Sequence, residues 1–301
     1  MNHLEQFRST AIERGIPVEA ADRIGRFLRV AIWVCNVGWH GVGSAERHGG
    51  VAGQNGGLPR LPAGMEWPYA DISGLGRLPL PFIASLDCAK LPRADGLELP
   101  ADGSLLFFLA HEHALHAHDE HEFARVVHVP SGTATVQVEQ PPPHDDDWFE
   151  SGFLRPQSDL VALVQPEMPG WFDEPENLEF ESDVVQSQVG DTAHLEDLRT
   201  LSKELWPQVT TGADLYLGGY SMELGIGENA EYGMAEDSIA HDVPNRDRLV
   251  EEETTRLMSE WIPLAQFQLE DQVHVGRFLI RHEDLAARRF DRVRSLTMFA
   301  E

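Results

Sequence analysis

The chain has 301 residues, of which 42% are hydrophobic and 24% are charged, so it is long enough for one large domain or two small ones. Its 50 acidic and 23 basic side chains give a net charge of -27, which argues against binding to a nucleic-acid backbone. The sequence has no signal-peptide run and no apolar stretch of membrane-spanning length, and its cysteines are Cys35 and Cys88. We therefore expect a protein of the reduced cytoplasm with no nucleic-acid or membrane partner.

The predicted elements begin with two N-terminal helices. Leu4 and Phe7 share one face of a short helix, and a second helix starts near Val18. A buried strand follows at 29–37, and a glycine-rich loop occupies 38–57. Further strands are predicted at 81–87, 104–110, 123–129, 133–139, 262–268, 275–280 and 293–299, and further helices at 194–206, 247–261 and 283–289. This pattern predicts an α+β fold with largely antiparallel β-sheets.

Two parts of the sequence resemble one another. PLPFIASLD at 79–87 followed by GSLLFFLAHEHAL at 103–115 parallels IPLAQFQLED at 262–271 followed by GRFLIRHEDLA at 276–286. Each part pairs an apolar strand that begins near a proline with a strand that begins at a glycine. We therefore predict two equivalent β-units, as in a duplicated sheet.

The acidity is concentrated in the second part of the chain. Residues 1–130 carry a net charge of -4, whereas residues 131–301 carry -23. Residues 139–200 contain 16 acids and two bases, and we interpret them as a solvated, proline-rich excursion within a single domain of residues 1–301. The excursion either keeps the protein soluble or docks a basic partner protein. The candidate docking residues are Asp145, Asp146, Asp147, Asp173, Glu174 and Glu176.

The run GGLPRLPAGMEWP at 56–68 must turn repeatedly. Its prolines fix φ and remove backbone donors, whereas its glycines permit positive φ. One interpretation is a rigid loop that packs its apolar side chains against a sheet. The other is a ligand-contacting loop in which Glu66 and Trp67 line a groove.

Several blocks of the sequence together resemble a known family. They are GGLPRLPAGMEWP (56–68), PLPFIASLDCAKLP (79–92), LPADGSLLFFLA (99–110), LGGY (217–220), WIPLAQFQLED (261–271) and GRFLIRHEDLAARRFDRV (276–293). In this order they resemble the YwqG-like family, a bacterial domain of unknown function. The resemblance implies an α+β protein and suggests an immunity role against a toxin. The chain has Ser221 where the family tends to have proline, and DQVHV at 271–275 where the family usually has Trp-Gly-Asp.

Familiar catalytic motifs are incomplete in this sequence. GYSME at 219–223 has Glu223 where a nucleophile elbow needs its second glycine. The glycines of 38–57 have the spacing of neither a phosphate-binding loop nor a dinucleotide fingerprint. Cys35 lies in an apolar strand, and Cys88 follows Asp87, whose charge raises a thiol pKa.

The segment HEHALHAHDEHE at 111–122 concentrates imidazoles and carboxylates. In extended chain, two-residue spacing puts both imidazoles of a pair on one face of a strand, where two pairs across a hairpin can surround a Zn²⁺ or Ni²⁺ ion. The candidate ligands are His111, His113, His116 and His118. The alternative is a solvated polar loop that binds no metal.

Two classes of function follow from these patterns. The first is a non-enzymatic cytoplasmic protein that binds a basic partner, such as a toxin domain, through its acidic surface. The second is a metal-binding protein or metalloenzyme centred on residues 111–128.

Overall fold

A computed structural model describes residues 2–37, 49–72, 76–110, 124–139, 141, 156–191, 193–207, 213–223, 229–268 and 274–299. Within these ranges, no helix combines the length and the apolar character that a membrane span requires.

The described ranges contain two N-terminal helices, then the strands β1 to β10, and then helices interspersed with the last four strands. The α-helices are α1 (His3–Glu13), α2 (Val18–Gly25), α3 (Gly170–Asp173), α4 (Asp183–Val189), α5 (Leu195–Leu205), α6 (Ala230–Ser238), α7 (Arg246–Glu260) and α8 (His282–Ala286). Short 3-10 helices lie at Pro175–Phe180 and Phe290–Arg292. The strands are β1 (Arg29–Asn36), β2 (Gly53–Asn55), β3 (Arg60–Pro62), β4 (Tyr69–Ile72), β5 (Gly76–Pro79), β6 (Phe82–Asp87), β7 (Ser104–Leu109), β8 (Ala124–Val129), β9 (Thr135–Gln137), β10 (Ser158–Glu167), β11 (Leu215–Gly218), β12 (Trp261–Gln268), β13 (His274–Arg281) and β14 (Arg294–Phe299).

Local sequence signals account for where the N-terminal helix starts and which face of α5 is buried. Asn2 caps α1 by accepting a hydrogen bond from the Glu5 backbone, while the Glu5 carboxylate accepts one from the Asn2 backbone. The regular spacing of Leu195, Leu198 and Leu201 buries one face of α5. The strand β1 is buried along most of its length because both of its faces are covered.

Ten strands form one antiparallel sheet in the order β14-β13-β12-β11-β1-β10-β2-β6-β7-β8. The order is symmetric about the pair β1 and β10, so that β12 corresponds to β6 and β13 corresponds to β7. Both corresponding pairs contain a register shift, at Ile83 in β6 and at Leu264 in β12. The predicted β-units therefore occupy equivalent places in the sheet.

The strand pairing defines which residues correspond. Ala84 pairs with Phe107 in the first unit, and Ala265 pairs with Phe278 in the second. By this register Gly276 corresponds to Leu105, so the two leading glycines that align in the sequence are offset by two residues in the sheet.

One hydrophobic core joins the two units. The ring centroid of Phe107 lies 5.5 Å from that of Phe278 and 5.9 Å from that of Phe267. The third pair of this triad, Phe267 and Phe278, is also 5.9 Å apart. Residues of both units contribute to the surrounding buried cluster, so one face of each unit is covered by the other unit.

Different elements pack on the outer faces of the two units. Over β6 and β7, the loop with β3, β4 and β5 contributes Leu61, Trp67 and Leu78. Over β12 and β13, helices α6 and α7 pack on Trp261 and Leu279. Near the centre of the sheet, α1 to α5 form a separate helical cluster.

The structure confirms the predicted α+β class and its large antiparallel sheet. The interpretation of 139–200 as a solvated excursion is wrong for residues 158–167, which form β10 in the centre of the sheet. The strand contains the apolar run LVALV (160–164), which is buried on both faces. It was not predicted because acidic residues flank this run on both sides. Most of the remaining described part of that segment lies in helices that expose their acids and bury several of their apolar residues.

Removal of the Phe107 ring, which contacts the second unit, should destabilise the fold. Because Phe107 is fully buried, we expect Phe107→Ala to lower the free energy of unfolding by about 3–5 kcal/mol. The exposed Val136→Ala is the control and should change it by less than about 0.5 kcal/mol. Chemical denaturation of both variants is the measurement, and equal effects would contradict a shared core.

Candidate functional site

The segment Gly218–Glu223, which we call the floor segment, leaves the sheet at the end of β11. Gly218 and Gly219 have φ of +71° and +73°, which only glycine adopts readily. A Cβ atom on Gly219 would lie 2.2 Å from Oε2 of Glu167. The two glycines thus let the backbone pass directly over the carboxyl group of the half-buried Glu167.

Buried side chains hold the backbone of the floor segment. Gln266 donates to the carbonyl of Tyr220 (2.9 Å) and accepts from the backbone N–H of Met222 (2.7 Å). The carbonyl of Met222 accepts from Nη1 of the fully buried Arg277 (2.7 Å). These contacts replace the hydrogen bonds that regular secondary structure would supply, so the irregular segment has a fixed conformation.

Glu167 lies beneath the floor segment at the end of β10. It accepts hydrogen bonds from Nε1 of Trp33 (2.7 Å) and from the backbone N–H of Tyr220 (3.3 Å). Burial raises the pKa of its carboxyl group, and the two hydrogen bonds and the charge of Arg29 oppose this effect. Glu167 therefore serves as an acceptor for β1 and for the floor segment.

Arg29 lies opposite Glu167 in the β1–β10 pairing and contacts the floor segment from the side. Its guanidinium lies 4.2 Å from the centroid of the Tyr220 ring. It also donates to the carbonyls of Gly219 and Met258, each at 3.3 Å. The Tyr220 hydroxyl donates to the carbonyl of Phe27 (2.5 Å), and burial raises its pKa to about 12. Tyr220 is therefore a neutral anchor.

Above the floor segment lies a cavity of about 740 Å³, which we call the interhelical groove. One wall comes from the chain after α2 and from α3 and α4, and the other comes from α6 and α7. The polar side chains of the lining include Ser221, Asn229, Tyr232, Thr254, Thr255 and Ser259. The apolar side chains include Phe27, Trp171, Val185 and Met258. A groove of this size with apolar walls and a few polar groups fits a ligand site.

Three carboxyl groups line the interhelical groove. Glu181 comes from the wall that carries α4, and Glu223 ends the floor segment. Burial raises the pKa of Glu181 to about 7, and the charge of Glu223 contributes in the same direction. Glu251 of α7 adds a third carboxyl group to the lining.

The predicted loop residues Glu66 and Trp67 lie away from this groove. Trp67 is 5% exposed, donates from Nε1 to the carbonyl of Leu80 (2.9 Å) and packs edge-on against Phe108. Glu66 forms an exposed ion pair with Arg77 (3.1 Å). Both residues also line a separate cavity of about 800 Å³ beside β8. The buried indole supports the packed-loop interpretation of 56–68.

The other predicted residues divide between described and undescribed parts of the chain. Asp173, Glu174 and Glu176 lie exposed at and after α3, where Asp173 pairs with Lys203 (3.1 Å). The candidate residues Asp145, Asp146, Asp147, His111, His113, His116 and His118 lie outside the described residues. Within the described ranges, no group of three potential ligands is placed to hold a metal ion. The metal site of 111–118 stays a prediction.

The three candidate nucleophiles are all held in buried positions. Burial raises the pKa of Cys35 to about 12 and that of Cys88 to about 11, and the charge of Asp87 adds to the second shift. Ser221 is buried and donates to Oε1 of the fully buried Glu231 (2.8 Å). The cysteines thus have the weak nucleophilic character expected from the sequence.

The central residues of this site had not been singled out in the sequence. Glu167, Gln266 and Arg277 are scattered polar residues within apolar strands, and only the fold brings them together. The available signal was LGGY at 217–220, since two adjacent glycines after a strand indicate an unusual backbone.

The fold and the site together define an α+β protein with a preformed groove on one unit of a symmetric sheet. A family described as a domain of unknown function (DUF1963) matches residues 54–297. The match covers most of the sequence, and the chain belongs to the DUF1963 family. No curated protein matches the chain.

Replacement of Gly219 should disturb the contact with Glu167. We expect Gly219→Ala to lower the free energy of unfolding by at least about 2 kcal/mol more than Gly132→Ala, since the added Cβ breaks buried hydrogen bonds. Gly132 is the matched control because its φ is +79° and a Cβ there meets nothing within 4 Å. Chemical denaturation measures both variants, and equal losses would rule out a specific contact.

The raised pKa of Glu181 predicts a pH-dependent stability. Between pH 4.5 and about 7 the folded protein holds a proton on Glu181 that the unfolded chain releases, so the free energy of unfolding falls as pH rises. Glu181→Gln should make this fall smaller, and Glu179→Gln, an exposed change nearby, is the control. Denaturation at several pH values provides the measurement, and parallel curves for Glu181→Gln and wild type would contradict the assignment.

Proposed function

We propose that the protein is a non-enzymatic cytoplasmic binding protein that holds a basic segment of a partner protein in the interhelical groove. The observation that carries this proposal is the floor segment, an irregular backbone that Glu167, Gln266 and Arg277 hold in place. A floor already fixed before binding lowers the ordering cost when a ligand enters.

The charge distribution around the groove favours a basic partner. Glu181, Glu223 and Glu251 line the groove itself. The outer surface from Asp173 to Glu204 carries ten acids and two bases, and every one of these acids except the partly buried Glu181 is exposed. Such a surface attracts a cationic chain and raises the rate of association.

The state of the candidate nucleophiles supports binding rather than catalysis. Both thiols are buried with raised pKa values, and the Ser221 hydroxyl donates to a carboxylate instead of to an imidazole base. These contacts suit groups that maintain a fold.

The resemblance to the YwqG-like family refines this proposal. The motif blocks of that resemblance fall largely within the DUF1963 match at 54–297. On that basis we propose a bacterial immunity protein whose partner is a basic toxin domain. A toxin with a basic domain encoded beside this chain would be the direct support.

The second candidate function, a Zn²⁺ or Ni²⁺ site at 111–128, is favoured by one unpaired buried nitrogen atom in the described residues. Nε2 of His128 is buried on β8 and has no hydrogen-bond partner among the described residues. Metal analysis after chelation and reloading tests this alternative. Stoichiometric metal lost on His111→Ala and His113→Ala would support it, and metal-free protein would contradict it.

Removal of the exposed acids beside the groove should weaken binding of a basic probe. A fluorescent deca-arginine peptide should bind the wild type with an on-rate that falls as salt rises, because exposed charges are screened over about 8 Å. The triple variant Asp173→Asn, Glu174→Gln, Glu176→Gln should bind more slowly. The triple variant Asp71→Asn, Asp102→Asn, Asp242→Asn removes the same charge from exposed positions outside the acidic surface of residues 173–204 and is the control.

A steric variant separates the groove from general charge attraction. Thr255 is exposed and lines the groove, so Thr255→Trp should fill it and reduce affinity without a change of charge. Thr200→Trp, at an exposed position on α5 outside the lining, should have no effect. Equal binding by the two tryptophan variants would contradict binding in the groove.

A further inference from the structure

Arg29 lies at the junction of two cavities. It lines the interhelical groove and also a second cavity of about 470 Å³ between the start of α1, the C-terminal end of α7 and the start of α8. The second cavity is also lined by Asn2, Ser259 and His282. One cationic side chain is therefore presented to both spaces.

Among the described residues, the guanidinium of Arg29 has acceptors but no carboxylate at ion-pair distance, although its charge still acts on Glu167. Its contacts among the described residues are the Gly219 and Met258 carbonyls and the Tyr220 ring, and no described carboxylate lies within 4.0 Å of it. The nearby Glu167 carboxyl already accepts from Trp33 and Tyr220. Cations that are partly removed from water are usually paired, so this arrangement favours an anionic ligand.

Other side chains of the second cavity can complete an anion site. The pKa of His282 is lowered by its partial burial and then by the charge of Arg29, which indicates that the two side chains are close. A neutral imidazole still donates one hydrogen bond, and the Ser259 hydroxyl donates another. Asp95 also lines the cavity, and its negative charge disfavours a doubly charged ligand such as phosphate.

We propose that the second cavity binds a small organic carboxylate, whose oxygens pair with Arg29 and accept hydrogen bonds from His282 and Ser259. This site adjoins the interhelical groove, with which it shares Arg29, Met258 and Ser259, and it goes beyond the proposed binding of a basic segment. A ligand with one negative charge matches the single positive charge of Arg29 and the neutral donors His282 and Ser259.

Calorimetric titration with benzoate tests the proposal, with benzamide as the neutral isostere and inorganic phosphate as the competing anion. We expect benzoate to bind at least about tenfold more tightly than benzamide, and Arg29→Gln to weaken benzoate binding by about 10- to 100-fold. Arg248→Gln removes an exposed arginine from α7 and should leave binding unchanged. Equal binding of benzoate and benzamide, or tighter binding of phosphate, would overturn the proposal.

Two further variants keep the test decisive if Arg29→Gln does not fold. His282 is exposed, so His282→Asn should fold and bind benzoate several-fold more weakly than wild type. Arg29→Lys keeps the charge but loses the planar fork, and should also weaken binding. Wild-type affinity in both variants would overturn the site. Val184→Trp, at an exposed position of α4 that lines the groove and not the second cavity, should leave benzoate binding intact, which distinguishes this site from the groove.

Discussion

The packing of Phe107, Phe267 and Phe278 between the two β-units is the contact on which the remaining architecture depends. Because each unit buries one face against the other, neither unit can use that face for a ligand. Each unit must then cover its outer face with other parts of the chain. The first unit uses a proline-rich loop and the second uses α6 and α7, and only the helical cover borders a groove with Arg29 and the floor segment.

The register of the two units shows how they have diverged. Leu106 of the first unit corresponds to Arg277 of the second, and Ser85 corresponds to Gln266. At these positions the first unit packs Leu106 into an apolar cluster, whereas the second unit buries two polar side chains that bind the floor segment. Buried polar groups are costly unless their partners are fixed, so their use here indicates a role in holding a defined surface.

Much of the sheet could be predicted from the sequence because its outer strands are apolar runs bounded by turn residues. The strands near 82–87, 104–109, 261–268 and 274–281 are close to the predicted ranges. The strand β10 was missed because acidic flanks made its region look solvated, and β11 was missed because it is only four residues long. The site could not be predicted, since it depends on the pairing of β1 with β10, which joins residues 124 to 138 positions apart.

Two carboxyl groups near the floor segment are hydrogen-bonded by the protein itself. Of the carboxyl groups near the floor segment, Glu167 is bound by an indole and a backbone donor and Glu231 by a hydroxyl, so neither is offered to a ligand. The exposed acids lie on the surface helices, where their charges act over a distance that the ionic strength sets. The second cavity presents the Arg29 guanidinium, which carbonyls and an aromatic ring hold in place. An acidic surface and groove that attract cations can thus coexist with a neighbouring cavity that attracts anions, because the carboxyl group of Glu167 between them is already hydrogen-bonded.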